Sequence, residues 1–250
     1  MINDLVRAHH ADYSDDLPYW ISRTSGRDTV IELGCGHGRI SLPLCDAGRK
    51  VICLDLFLEP LLDFNTSARD LNTSGYLPVL ANMLELPFMG EFGAIIIPCN
   101  TYSMFTHQER QQLLDQVINL ISQEGIFIAS VPNPQSLQSL NQELIQEESE
   151  GEPALETVFI HPETGNPVQV SSRLIPGENY IRWDWIYDHL LPDGSQERYV
   201  KEAIHQLCSV GQYKSEFREA GFEDLNFLGN FTGDPYRNDS EYLIMECRRS

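Results

Sequence analysis

The sequence predicts an α/β fold with a doubly wound parallel sheet, on three observations. Short β-branched apolar runs alternate with longer amphipathic stretches through the first two-thirds of the chain. Three closely spaced glycines fall where the first of those runs gives way to a helical stretch. The 250 residues, 42% of them hydrophobic, suffice for one large domain or for one domain carrying a sizeable insertion.

The runs are Thr29 to Leu33, Lys50 to Leu54, Leu77 to Leu80, Phe92 to Ile97 and Gly125 to Val131. Each is too short for a buried helix and is bounded by Gly, Pro or Asn, so each reads as a strand covered on both faces. Between them, Arg39 to Ala47, Glu59 to Leu71 and Gln108 to Ile121 carry apolar residues at three-and-four spacing, as in Leu113, Leu114, Val117, Ile118 and Ile121. Strand followed by helix, repeated, gives parallel strands joined by crossovers.

After Val131 the pattern changes. Gln135 to Glu150 is polar with a stripe of Leu137, Leu140 and Leu144, a helix with an acidic end or else a solvated linker. Thr157 to His161, Val168 to Ile175, Tyr180 to Leu190 and Arg198 to Leu207 read as antiparallel strands, because the connections ETGN, PGEN and PDGS hold the residues that hairpin turns need. They form a small meander inserted in the main domain. Tyr213 to Ala220 as helix, then Phe222 to Leu228 and Tyr242 to Cys247 as strands, complete the sheet.

Composition excludes several function classes. Seventeen Lys and Arg against 37 Asp and Glu leave a formal charge of −20, which repels a phosphate backbone, so no nucleic-acid partner is expected. Apolar runs such as Ala94 to Pro98 fall short of the roughly 20 residues that a membrane helix needs, and the polar start MINDLVRAHHADY lacks a signal-peptide apolar region. A cytoplasmic protein without membrane attachment is expected. Cys35, Cys45, Cys53, Cys99, Cys208 and Cys247 form no CxxC or CxxH spacing, which argues for reduced thiols and against a metal site.

The most informative segment is VIELGCGHGR, Val30 to Arg39, where a strand runs into Gly34, Gly36 and Gly38 and then a helix. Glycines at this spacing let the chain turn sharply and let a ligand touch main chain where a Cβ would collide. The GxGxG spacing, with Arg39 after Gly38, departs from the GxGxxG/A of dinucleotide binding and demotes a nicotinamide-dependent oxidoreductase. The next strand ends in Asp55, whose carboxylate can accept hydrogen bonds from both ribose hydroxyls. The third strand ends at Ala81, Asn82 and Met83, the fourth at Pro98, Cys99 and Asn100. All lie at the carboxyl ends of strands, where open α/β sheets bind ligands.

Through ELGCGHGR, LDLF with Asp55, ANMLELPF and FGAIIIPCNTYSMF, the sequence resembles the class I S-adenosylmethionine-dependent methyltransferases of the small-molecule type. GQYKSEFREAGF and the two last strands look like that family's terminal helix and hairpin, so the resemblance spans nearly the whole chain. It implies a seven-stranded Rossmann-like sheet with an inserted small antiparallel meander. Residues 1–150 and 208–250 would form the cofactor domain, and residues 151–207 a lid over the acceptor.

Carried over residue by residue, the resemblance sets Gly34, Gly36 and the backbone of Cys35 against the methionine portion of the cofactor, with Glu32 positioning the loop and the amino group. Asp55 would hold the ribose, Leu56 would lie beside the adenine, and Met83 would offer its backbone N–H to the ring. Asn82 stands where the family usually has Asp, and its amide oxygen can also accept. Pro98 and Asn100 match the segment that contacts the cofactor and faces the acceptor. Tyr13, in HHADYSDDLPYW, resembles a tyrosine that closes over the cofactor's carboxylate; packing of the first helix on the sheet is its other reading.

The implied reaction moves a methyl group from S-adenosylmethionine to N or O of a small-molecule acceptor, releasing S-adenosylhomocysteine, with the acceptor between the sheet's carboxyl edge and the meander. The sulfonium already carries its leaving group, so holding the acceptor close and aligned supplies most of the catalysis. Tyr102, His107, His161, Asp184 and His189 are candidate bases, and no catalytic residue is assigned. Ile181, Trp183, Trp185, Tyr187 and His189 share a face by period two, as the meander's own core, an acceptor wall or a homodimer contact. Glu147, Glu148, Glu150 and Glu152 are a solvated charge run or a lure for a cationic acceptor, and the net charge favours an amine. A catalytically silent subunit with this fold is the rival reading.

Overall fold

The computed structural model describes residues 2–147 and 151–249 and divides into two compact units. One comprises Asp15–Ser136 with Cys208–Ser250, the other Met1–Ser14 with Leu137–Leu207, over their described residues.

The first unit is built on seven strands: β1 (Thr29–Leu33), β2 (Lys50–Asp55), β3 (Tyr76–Leu80), β4 (Phe92–Ile97), β5 (Ile121–Pro132), β10 (Phe222–Leu228) and β11 (Tyr242–Arg249). Their spatial order is β10-β11-β5-β4-β1-β2-β3. The pairs from β5 to β3 are parallel, and β11 is antiparallel to both its neighbours. The order reverses between β1 and β4, the switch point at which such sheets open a crevice.

Period two along the strands divides the core into two layers. Ile31, Ile95, Ile97, Phe127 and Ala129 join one cluster, while Val30, Ala94, Ile96, Ile126 and Ile128 join the other. Each fully buried side chain of this size stabilises by about 1.5–3 kcal/mol, so burial on both faces explains why these strands carry almost no polar residues. The first layer is completed by α5 (His107–Leu120) and α7 (Val210–Glu219), through Leu113, Leu114, Val117, Tyr213 and Phe217. The second is completed by α2 (Leu17–Arg23), α3 (Ser41–Asp46) and α4 (Leu58–Asp70), through Trp20, Leu44, Leu61 and Phe64.

Both α5 and α7 begin in capping boxes, Thr106 with Glu109 and Ser209 with Gln212, which satisfy the first backbone N–H groups. Arg110 of α5 donates from Nε and Nη2 to Glu216 of α7 at 2.8 and 2.7 Å, in a buried pair. The His107 ring lies 2.6 Å from the same carboxylate.

The second unit holds β6 (Ala154–Ile160), β7 (Pro167–Pro176), β8 (Tyr180–Leu190) and β9 (Gln196–Gln206), an antiparallel meander in the order β6-β7-β8-β9. Its unit differs from the expected boundaries, because the first 14 residues and the chain from Leu137 onward group with the meander. The reason is local packing. Leu5 of α1 (Ile2–His9), with Ile2 and Val6 beside it, packs on Val168, Val170 and Tyr187. Asn141 of α6 (Pro134–Gln146) exchanges two hydrogen bonds with the Gly177 backbone at the β7–β8 turn. Of the acidic run, Glu148 and Glu150 lie outside the described residues.

Tyr187 and the half-buried Trp185 of β8 belong to the contact with α1, while Trp183 and Trp185 stack with centroids 5.2 Å apart. No helix among the described residues is long and apolar enough to cross a membrane.

Candidate functional site

The glycine loop is tied to the end of β2 by main chain. Gly34 N and Cys35 N both donate to Leu54 O, at 2.8 and 2.9 Å, and Gly36 N donates to Oδ2 of Asp55 at 2.8 Å. The other Asp55 oxygen accepts from Phe57 N at 2.9 Å. A carboxylate offers about four acceptor sites, so Asp55 anchors the loop with two and retains capacity for two more donors.

The last two glycines of the loop have different physical reasons. A Cβ on Gly36, where φ is +53°, would meet nothing within 4 Å: open space lies over this main chain. A Cβ on Gly38, where φ is +87°, would lie 2.1 Å from Cδ2 of the buried Phe64. Gly38 is therefore a packing residue and Gly36 a surface against which a ligand can lie. At Gly34 the neighbours are Met83 Cε and the Thr101 side chain, at ordinary contact distance.

Glu32 is buried at the end of β1, and its carboxylate accepts from the Ser41 hydroxyl. Burial pushes its pKa up to about 8; the Ser41 hydrogen bond and Arg39 oppose that, while Asp55 and Asp16 add to it. Arg39 donates to both oxygens of the buried Asp16, at 2.7 and 2.8 Å, and its Nη2 also lies 2.9 Å from Cys99 Sγ. Trp20 Nε1 donates to Asp16 as well, at 3.0 Å. This clamp joins α2, the glycine loop and the turn after β4. Sequence reasoning missed Asp16 and the structural role of Arg39, since nothing local pairs a carboxylate with a guanidinium 23 residues on.

Cys99 and Asn100, directly after β4, both have left-handed backbones, with φ +59° and +63°. Two successive non-glycine residues in that region are uncommon and concentrate at functional sites. Pro98 is buried before them, and Asn100 accepts through its carbonyl from the Ser103 hydroxyl at 2.7 Å.

The structure brings together Glu32, Gly34, Cys35, Gly36, Asp55, Leu56, Asn82, Met83, Pro98 and Asn100, all at the carboxyl ends of the adjacent parallel strands β4, β1, β2 and β3. Asn82 Oδ1 accepts from Leu84 N at 2.9 Å, shaping the turn after β3, and Met83 is buried. Leu56, Phe57, Leu58 and Leu80 are more than half exposed around the β2 and β3 ends, an apolar surface beside the carboxylate. Tyr13, 37% exposed, belongs to the meander's unit.

The candidate bases are all engaged or buried. Tyr102 is a core residue, ringed by Phe127, Tyr213 and Phe217. Asp184 is buried beneath Arg173 and Arg182. His161 accepts from the backbone of Glu163 and Thr164, and His189 contacts the Thr164 hydroxyl. His107 faces Glu216.

A family model for a methyltransferase domain matches residues 30–125, from the first strand through the fourth and the helix after it. Over this segment the chain is similar to a methyltransferase domain. A provisionally named methyltransferase of Geobacillus sp. (strain WCH70) is 22% identical over 227 residues, covering 90% of this chain and 85% of that one. The crystal structure of an S-adenosylmethionine-dependent methyltransferase from Clostridium acetobutylicum ATCC 824 matches with a TM-score of 0.79 at 11% identity, covering 98% of this chain and 95% of that one. The sugar N-methyltransferase KedS8 from Streptoalloteichus sp ATCC 53650 matches with a TM-score of 0.75 at 14% identity, covering 100% and 93%. The likenesses to the two solved structures, both under 25% identical, show the fold.

The donor set suits a sulfonium nucleoside. Open main chain at Gly36 leaves room for it, the spare capacity of Asp55 suits a vicinal diol, and the exposed Leu56 and Leu80 suit a flat base.

Proposed function

We propose that this methyltransferase transfers the methyl group of S-adenosylmethionine to a nitrogen or oxygen of a small molecule, with an amine as the favoured acceptor. The observation that carries the reading is the joining of the glycine loop to Asp55, Gly36 N to Oδ2 at 2.8 Å, beside the open face of Gly36. Asp55 holds the ribose hydroxyls, Leu56 covers the adenine, Met83 N and Asn82 address its edge, and Gly34 to Gly36 support the amino-acid portion. Pro98 and Asn100 close the reacting side.

When bound, the cofactor supplies an electrophilic methyl group on sulfur. What the chain supplies is alignment and exclusion of water. The candidate bases are buried or, like the exposed His107, paired with a carboxylate, which accords with a reaction that rests on alignment, in which an acceptor amine enters unprotonated. The net charge of −20 attracts cations and repels anions, and KedS8, which shares the fold, is named for methylation of a sugar nitrogen. Incubation with methyl-labelled cofactor and matched panels of small amines, alcohols and carboxylic acids tests the reading. Label is expected in amines first; transfer confined to carboxylic acids, or to none of the three panels, would overturn it.

A second prediction concerns Glu32. Its carboxyl has a folded value near 8 against an ordinary 4.5, so its contribution to stability is fully present below pH 4.5 and is lost as pH rises through 8. In the proposed site the cofactor's ammonium favours the carboxylate and lowers that value. Binding of S-adenosylhomocysteine at pH 7 is therefore expected to release up to about one proton, seen by calorimetry in buffers of different ionisation enthalpy. Glu32→Gln should abolish the release, and proton uptake by the unaltered protein would contradict the assignment.

A further inference from the structure

We propose that Arg39 is a positioning residue of the methyl transfer, setting the distance between the glycine loop and the turn after β4 through the sulfur of Cys99. The inference rests on the proposed reading of the site, in which Gly34 to Gly36 support the cofactor's amino-acid portion and Asn100 closes the reacting side. Arg39 directly follows Gly38 at the loop's exit. Its Nη2 lies 2.9 Å from Sγ of Cys99, the residue before Asn100. Because β1 and β4 are neighbours where the strand order reverses, this contact spans the mouth of the crevice.

The two sides of the crevice are built differently. Toward β2 the loop is tied by its own main chain, from Gly34 N and Cys35 N to Leu54 O and from Gly36 N to Asp55. Toward β4 the strand pairing ends at Glu32 and Ile96, so beyond those residues the ladder no longer fixes the spacing of loop and turn. There the tie is a side chain, Arg39.

Arg39 serves as a strut because it is itself fixed. The buried Asp16 takes Nη1 and Nη2 on its two oxygens, at 2.7 and 2.8 Å, and is held in turn by Trp20 Nε1 at 3.0 Å. A guanidinium gripped bidentately keeps its plane and still has a donor to spare for the sulfur. The far end needs such support. Cys99 and Asn100 are both left-handed, a conformation that asparagine tolerates and cysteine does not favour. The Ser103 hydroxyl holds the Asn100 carbonyl while Arg39 holds Cys99, so both residues of the turn are gripped. The ion pair with Asp16 alone would join α2 to the loop; the added contact with Cys99 serves the alignment of the turn. In-line displacement is steep in that alignment, and a shift of about 1 Å at the reacting centre costs on the order of 100-fold.

Cys99→Ala tests this while leaving the Asp16–Arg39 pair in place. With methyl-labelled cofactor and the amine panel, kcat is expected to fall about 10- to 100-fold, while the dissociation constant of S-adenosylhomocysteine changes by less than about 3-fold. Cys99→Ser, whose hydroxyl accepts from Arg39, should restore most of the loss. Arg39→Met combined with Asp16→Asn leaves no buried charge unpaired and should lower kcat to a similar degree. Adding Cys99→Ala to that pair should cost nothing more, since all three act through one contact. Should the double variant fail to fold, the two Cys99 variants still decide the matter. Iodoacetamide reads the contact without turnover, because Cys99 is exposed and the other five cysteines are buried. A cation beside the sulfur favours the thiolate, so the midpoint of the alkylation rate should move up by about one pH unit in the double variant. Unaltered kcat in Cys99→Ala, losses that multiply when combined, an unmoved alkylation midpoint, or S-adenosylhomocysteine binding that falls in step with kcat overturns the inference and leaves the proposed function standing. A wild type that binds S-adenosylhomocysteine yet labels no member of the panels defeats the proposed function, and this inference with it.

Discussion

Asp55→Ala weakens binding of S-adenosylhomocysteine by at least 10-fold, and on the order of 100-fold if both ribose hydroxyls donate to this carboxylate. A hydrogen bond to a charged group contributes about 1.5–3 kcal/mol, and 1.4 kcal/mol is a factor of ten. The substitution has a second consequence, because Asp55 accepts from Gly36 N and Phe57 N and so holds the loop it serves. Asp55→Asn separates the two effects: its amide keeps one acceptor oxygen for the loop, loses the charge, and turns an NH2 toward the other donor. Isothermal titration is expected to rank binding wild type, Asn, then Ala, while thermal melting shows the smaller structural share. Affinity unaltered by Asp55→Ala would remove the ribose from this carboxylate.

Gly38→Ala acts on the fold where Gly36→Ala acts on the ligand. At Gly38 the new methyl collides with Phe64, whose ring is buried and packed edge-on against Tyr76, and the left-handed backbone adds its own penalty. Overpacking of about 1–3 kcal/mol and a left-handed residue at about 1–2 kcal/mol combine to about 2–5 kcal/mol, a large share of the ordinary 5–15 kcal/mol of a folded domain. The melting temperature should fall by roughly 5–20 °C. At Gly36 the same methyl enters open space, so only the backbone penalty remains and the melting temperature falls by a few degrees, while cofactor affinity drops by about 10-fold or more. Equal melting temperatures for the two variants would contradict this division of labour.

Much of the cofactor site was legible because it is written in local chemistry. A strand, a glycine turn and a helix follow one another in VIELGCGHGR, and an acidic residue closes the following strand, so neighbouring segments alone place Gly36 beside Asp55. The separate job of Gly38 was not legible. Its obstacle, Phe64, comes from a helix beyond the next strand. The candidate bases illustrate the same limit: Tyr102 is a polar-tipped ring near the end of a strand in the sequence and a member of an aromatic core in the structure.

The sequence by itself determined the layered sheet and its order of strand and helix, since period-two and period-3.6 apolar patterns arise from backbone geometry within each segment. It also determined which loop bares its main chain. Only the tertiary structure decided that Arg39 reaches back to a buried Asp16, and that α1 groups with the meander. Such facts depend on which distant side chains share a low-dielectric interior or a surface, and pairings of that kind leave no periodic trace along the chain.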